Sequence, residues 1–315
     1  MTGNRPRASV LLTSYNHERF VTDALESVAA QTFADFELIV TDDCSDDGSA
    51  AVIRAWLDRT GFPATFIVNE TNLGITTVRN NALRVARGRL VCSLAGDDFY
   101  EPDRLAVQVG AFEPCDDAVA VVYGDVRIVD EGGAVVEPSF LRRPGRPWPP
   151  PEGRVWSRLL ADNFIPAPGV MMRRDAIDDV GGYDESLVYE DYDMWLRLAD
   201  RFEFRYVDAC VSNYRVVPSS LSRAPSRRRE LAECDVRILL KWRGRSVESD
   251  VVVARRLWDV GWELAARDRT EGLRILRLAW ETGLSGRRRW FRPLAYVPGM
   301  PRLVVAAYRW RGRRR

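Results

Sequence analysis

Residues 8–130 alternate short apolar runs with segments whose apolar residues recur at helical spacing, and this rhythm limits the fold more than any other feature of the chain. Ser9–Leu12 is a short apolar run, followed by Phe20, Val21, Ala24, Leu25 and Val28 at helical spacing. Phe36–Thr41 reads as a second strand and ends on Asp42-Asp43. Ala51, Val52, Ala55 and Trp56 mark a second helix, and Ala64–Val68 a third strand. Ile75–Ala86 reads as a helix stopped by Gly88. Arg89–Leu94 is a fourth strand that ends near a second acidic pair, Asp97-Asp98, and Pro102 then opens a helix. Val119–Tyr123 is a fifth strand. The pattern predicts an α/β fold with a mostly parallel central sheet flanked by helices. In such sheets ligands sit beyond the carboxyl ends of the strands.

The remainder is organised differently. Residues 138–153 are rich in Pro, Arg and Gly and read as a long loop, a candidate mobile cover. Residues 154–222 resume mixed α/β structure, and from about Ser226 the pattern is helical and Arg-rich. Residues 286–315 hold ten arginines and no acid, although the formal net charge is only +1. That balance gives no global field for nucleic acid, and no recognition motif accompanies the arginines. The five cysteines form no CxxC pair, which argues against a zinc site or a disulfide scaffold and fits a reducing, cytoplasmic setting. The amino-terminal residues lack a long apolar run, so no signal peptide is expected, and no apolar stretch suits a spanning helix.

The two acidic pairs carry the chemistry. Each follows a buried strand, at the rim where ligands bind. Adjacent carboxylates repel unless something positive lies near, and a divalent cation with oxygen ligands meets that need. Asp42-Asp43 also has ordinary turn composition, and Asp97 or Asp98 would equally serve as a cap for the helix near Pro102. TSYNHERF, after the first strand, contains no glycine-rich loop, which speaks against a dinucleotide-dependent dehydrogenase and a nucleotidyltransferase.

Taken together, three segments resemble glycosyltransferase family 2 in order and spacing. They are SVLLTSYNHERFVTDALESVAAQTFADFELIVTDDCSDDGS, NLGITTVRNNALRVARGRLVCSLAGDDFYEPDRL and GGYDESLVYEDYDMWLRLA. The resemblance covers roughly residues 7–222. It implies a GT-A fold, a Rossmann-like α/β arrangement, and inverting transfer of a sugar from a nucleotide diphosphate sugar. The donor would be a UDP-sugar, or else a dTDP- or GDP-sugar. The implied division is a catalytic domain over 1–225, with a nucleotide-sugar half at 7–130 and an acceptor half at 154–222, then a helical region over 226–315.

The resemblance also implies roles for individual residues. Thr13 and Tyr15 match positions that contact base and ribose, Asp43 matches an acid that binds the base, and Arg79 a position near the phosphates. Asp98 would ligate Mg²⁺ or Mn²⁺, with Asp97 on the ribose or beside the metal. Glu190-Asp191 match the acceptor-side acids, with Asp191 the general base and Glu190 the alternative. Trp195 would line the acceptor pocket or belong to the core, and Asp193 reads as a solvated or capping acid. Two positions depart from the common pattern. Ala95 replaces an acid ahead of the Asp97-Asp98 pair, and Val217 stands where many relatives carry a histidine. They leave open a non-catalytic nucleotide-sugar-binding protein. His17, the chain's one histidine, reads as a surface or capping residue. The acceptor would be a glycan or lipid-linked hydroxyl. Residues 286–315 would place the protein peripherally on the inner face of a membrane, or form a solvated tail or a packed helix. Pro293, Pro298 and Pro301 argue against one continuous amphipathic helix there.

Overall fold

The first four long strands, β1 (Ala8–Ser14), β2 (Phe36–Asp42), β3 (Ala64–Val68) and β4 (Leu90–Ala95), lie parallel in the order β3-β2-β1-β4. They belong to a computed structural model that describes residues 5–217 and 227–283. Their continuous apolar runs have a physical reason. Val10, Leu12, Leu38, Val40, Cys92 and Leu94 join one buried cluster with α1 (Val21–Ala29), α2 (Ser49–Thr60) and α4 (Arg104–Phe112). Leu11, Ile39 and Val91, at alternating positions, are equally buried, so both faces of the sheet are covered. The helix α3 (Ile75–Val85) packs on β1 and β2.

Beyond β4 the sheet changes direction. The short β5 (Phe99–Tyr100) pairs antiparallel with β9 (Glu203–Arg215) at the far edge. β6 (Val119–Val129) is longer than the expected Val119–Tyr123 because β9 pairs with it, with register shifts, along most of its length. Between β4 and β6 lies β8 (Val170–Arg173), antiparallel to both, and β7 (Val135–Glu137) pairs with β6. The sheet therefore has nine strands, and its parallel core is the amino-terminal part. α6 (Arg174–Asp179) and α7 (Asp191–Arg201) follow β8 in the chain.

Gly88 does a different job from the expected helix stop. α3 ends at Val85, and a Cβ on Gly88 would stand 2.4 Å from Ser9 N and 2.5 Å from the Ala8 carbonyl carbon. The glycine is needed for close backbone approach to β1.

The chain forms two units: Met1–Val155 with Phe164–Pro218, and Trp156–Asn163 with Ser219–Arg315. The first holds the sheet. The second contains α5 (Trp156–Ala161), α8 (Arg228–Leu240), α9 (Val247–Ala265) and α10 (Arg269–Glu281). Ser246 caps α9 with a reciprocal Ser246–Ser249 box, and Asp268 caps α10 through Glu271 N. α9 and α10 approach closely at Gly272, where a Cβ would meet Ala265 backbone at 2.3 Å. No helix among the described residues is long and apolar enough to cross a membrane. The arginine-rich stretch 286–315 lies outside the described residues.

Candidate active site

Strand register builds the site. Thr13 of β1 is level with Thr41 of β2 and Ala95 of β4, so three parallel strands end in one row. Each strand then turns outward through a backbone bond to its neighbour. Asp43 N donates to Ser14 O at 2.9 Å, Gly96 N to Thr13 O at 2.8 Å and Asn69 N to Asp42 O at 2.9 Å. The loops that follow interlock. Asn16 Oδ1 accepts from Asp46 N at 2.8 Å, and Asn16 N donates to Ser45 Oγ at 2.9 Å. Asn16 and Cys44 take left-handed φ values of 59° and 61° at these turns. The row carries Thr13, Tyr15, Asp43 and the Asp97-Asp98 pair to one rim, with Tyr15 the exposed member.

Asp43 is buried and organises the next loop. Its Oδ1 accepts from Asn69 Nδ2 at 2.8 Å and Leu73 N at 2.9 Å, and its Oδ2 accepts from Gly74 N at 2.9 Å. Gly74 precedes α3 with φ 81°, so this carboxylate also sets where that helix begins. Asp42 serves its own turn, accepting from Ser45 N at 3.0 Å and from Ser45 Oγ at 2.7 Å.

Asp97 and Asp98 do not cap the following helix. α4 begins at Arg104, and Asp103 holds the cap position. Instead the pair is buried beside the end of β9. Burial, then the adjacent Asp97 carboxylate, pushes the Asp98 carboxyl well above its ordinary value. Asp98 Oδ1 accepts from Arg215 N at 2.8 Å. Two adjacent buried carboxylates suit a divalent cation with oxygen ligands, and the residues therefore fit a metal. Among the described residues no group of three or more His, Cys, Asp or Glu side chains could hold a metal ion. The remaining ligands would come from a diphosphate and water. His17, expected at the surface or as a cap, stands half-buried with Nε2 3.8 Å from Asp97 Oδ1.

Glu190, Asp191 and Trp195, expected on the acceptor side, line one small pocket. Arg79, Ser93 and Tyr183 line it with them, together with Val170 and Met172. Arg79 reaches it from α3, and its guanidinium pairs with Glu190 at 3.2 Å, both side chains largely buried. Glu190 is the cap residue of α7, and Asp191 and Asp193 occupy its first turn, where acids favour the helix dipole. Asp193 is not solvated: it is 1% exposed and bonded to Arg197 at 2.7 Å. Trp195 is both core and lining, 3% exposed with its Nε1 unpartnered.

Three residues were missed from the sequence. Arg215 ties the acid pair to its surroundings. Tyr183 joins the cleft. Asp125 accepts from Ser139 Oγ, from Phe140 N at 3.0 Å and from Leu141 N at 3.0 Å, which anchors the start of the 138–153 loop. The other end is held by Tyr123 Oη donating to Pro151 O at 2.6 Å and by Gly153 bridging Phe204.

The description Glycosyl transferase family 2 matches residues 9–181. The chain belongs to glycosyltransferase family 2. Like the named members, it is a glycosyltransferase. It is 27% identical over 216 residues to the uncharacterized glycosyltransferase MJ1057 of Methanocaldococcus jannaschii, spanning 68% of this chain and 72% of that one. It is 26% identical over 217 residues to the Escherichia coli UDP-Glc:alpha-D-GlcNAc-diphosphoundecaprenol beta-1,3-glucosyltransferase WfgD, spanning 68% of this chain and 79% of that one. Its fold is similar to that of S. aureus TarS 1–349 in complex with UDP-GlcNAc, with a TM-score of 0.68, 19% identity and coverage of 92% of this chain and 86% of that one. The family 2 chain thus has the GT-A fold that its segments imply.

Proposed function

We propose that this family 2 protein transfers a sugar, with inversion, from a nucleotide diphosphate sugar to a hydroxyl of a glycan or lipid-linked acceptor. The observation that carries the reading is the register row, which delivers Thr13, Tyr15, Asp43 and the Asp97-Asp98 pair to one rim. A UDP-sugar is the favoured donor. An ionised carboxylate has about four lone-pair directions. Asp43 uses three of them on Asn69, Leu73 and Gly74, which leaves one on Oδ2 for the imide N–H of a uracil. Thr13 and Tyr15 flank the base and ribose. The name of WfgD supports a UDP-linked donor and a diphosphate-lipid acceptor.

Asp98, with Asp97 beside it, would hold a Mg²⁺ or Mn²⁺ ion, which would supply positive charge against the leaving diphosphate. The chain's own residues do the rest. Arg79 engages Glu190, so Glu190 acts as a positioning neighbour. Asp191, next in the chain and lining the same cleft, takes the proton from the acceptor hydroxyl. Trp195 lies buried against the same pocket and supports its wall. Arg79 thus supports the acceptor side in this reading, and its phosphate role would require it to serve both.

The test is a panel of UDP-, dTDP- and GDP-sugars with Mn²⁺, read first as a thermal shift and then as nucleotide release with a polyprenyl-diphosphate-sugar acceptor. A rise in melting temperature with a UDP-sugar followed by release of UDP supports the proposal. No response to any nucleotide sugar refutes it. Binding without release would point instead to a nucleotide-sugar-binding protein that does not transfer, the alternative that Ala95 and Val217 motivate.

A further inference from the structure

Arg215 is the last residue of β9 and among the largest fully buried side chains of the described residues. Its Nε donates to the Asp97 carbonyl at 2.8 Å. Its terminal nitrogens donate to Glu131 O at 2.6 Å and to Asp23 Oδ2 at 2.8 Å. Its backbone N–H donates to Asp98 Oδ1 at 2.8 Å. The guanidinium lies between the rings of Phe20, at 4.9 Å, and Phe99, at 5.3 Å. One residue is therefore bonded to both members of the acid pair, to one through a carbonyl and to the other through a carboxylate.

A buried guanidinium is costly unless its donors are satisfied and its charge is compensated. Among the described residues the one carboxylate that the guanidinium bonds is Asp23, whose side chain is 59% exposed. A purely structural ion pair does not require the charge to lie within the acid loop. The bond to Asp98 also has a consequence for coordination. It takes one of the lone-pair directions of Oδ1 and fixes the orientation of the carboxylate. Val217, two residues on, is buried and offers a cation no ligand.

We propose that the Arg215 side chain is a positioning group of the cation site: its guanidinium holds the Asp97 carbonyl, and so the backbone of the acid pair, and its permanent charge lets the pair remain in place before cation and diphosphate bind, while the backbone N–H of the same residue holds Asp98. The inference rests on Asp97-Asp98 being the cation site. Such supporting residues commonly change metal affinity by about 10- to 100-fold when altered.

The experiment is a titration of Mn²⁺ into the full chain in the presence of UDP, following free Mn²⁺ by electron paramagnetic resonance, for wild type, D98N, R215K, R215M and D23N. Thermal melting of each apo protein selects the folded variants. R215M is expected to weaken Mn²⁺ at least about tenfold, and R215K, which keeps the charge but lacks the planar fork, to fall between it and wild type. Should R215M not fold, D23N carries the test, since it leaves Arg215 in place and releases one end of it. A weakening of about threefold is then expected, and unchanged affinity overturns the proposal. A merely structural arginine would lower the melting temperature and leave Mn²⁺ affinity within twofold of wild type, which also overturns it. If D98N itself binds Mn²⁺ like wild type, the cation-site reading falls and the inference with it. If D98N loses Mn²⁺ while folded R215M keeps it, only the role of Arg215 falls.

Discussion

Asp43, at the start of a loop, and Asp191, at the start of a helix, illustrate how differently two acids can be used. Asp43 spends most of its acceptor capacity on Asn69, Leu73 and Gly74. Replacing it with alanine is therefore expected to do two things at once: weaken UDP binding and loosen the 69–74 loop. Amide exchange at Leu73 and Gly74 would report the loosening, and a thermal shift with UDP the loss of binding. Unchanged exchange would show that the loop does not depend on this carboxylate. Asp191 stands at the start of α7 beside the Arg79–Glu190 pair. D191N is expected to lower kcat by about 10²- to 10⁴-fold while leaving donor KM nearly unchanged, because a general base acts on the acceptor proton. A variant that loses donor affinity instead would place Asp191 on the donor side. The contrast was partly legible. Acid pairs after strands are visible in the chain, but that Glu190 is engaged by an arginine from α3 follows only from tertiary proximity.

At the scale of elements, Glu37 clips three segments together. From β2 its carboxylate accepts from Ser9 Oγ of β1 at 2.7 Å, and from Arg87 Nε at 3.0 Å and Gly88 N at 3.1 Å just before β4. Burial by itself would raise this carboxyl, but the bonds from Ser9 and Arg87 outweigh it and hold it below its ordinary value. A depressed folded pKa means that the stabilisation is present above the unfolded value of about 4.3 and is lost as pH falls through the folded one. E37Q is expected to cost about 1–2 kcal/mol at neutral pH. The deficit should shrink in acid, and urea denaturation at the two pH values checks it. A deficit independent of pH would assign the loss to packing. At the same junction, G88A would drive a Cβ into β1 backbone. A loss of about 1–3 kcal/mol is expected, read by thermal melting, and an unchanged melting temperature would show that β1 and the turn can separate without cost. The α3 pattern was readable from its apolar spacing, whereas the use of Gly88 was not. A glycine after a helix looks the same in sequence whether it turns the chain or admits a neighbouring strand.

For the whole molecule, the open prediction concerns residues 286–315. Their ten arginines and four Trp and Tyr side chains suit an anionic membrane surface. Vesicle co-sedimentation should show the full chain binding vesicles rich in anionic lipid, releasing with added salt, and losing the interaction after truncation beyond residue 285. No binding by the full chain refutes the peripheral placement.

The parallel core was legible because its strands are buried on both faces and so appear as uninterrupted apolar runs, each followed by its helix. The acid pairs Asp42-Asp43 and Asp97-Asp98 could be picked out for the same reason: the rim of a parallel sheet follows directly from where its strands stop. Thr13 and Tyr15, and the choice of Asp43 over Asp42, came only from the resemblance to family 2. Tertiary structure alone decided what lies beside them. β8 enters between β4 and β6 antiparallel to both, and the short apolar run Val170–Met172 carries no signal of direction or neighbour. α5 groups with the carboxyl-terminal helices although its chain neighbours belong to the sheet. Arg215 reads as one arginine among many, and it becomes a partner of the acid pair only because β9 ends there, in a buried position where its charge and donors must be met. Strand ends are local consequences of apolar patterning, whereas pairing between distant segments depends on long-range closure that composition does not encode.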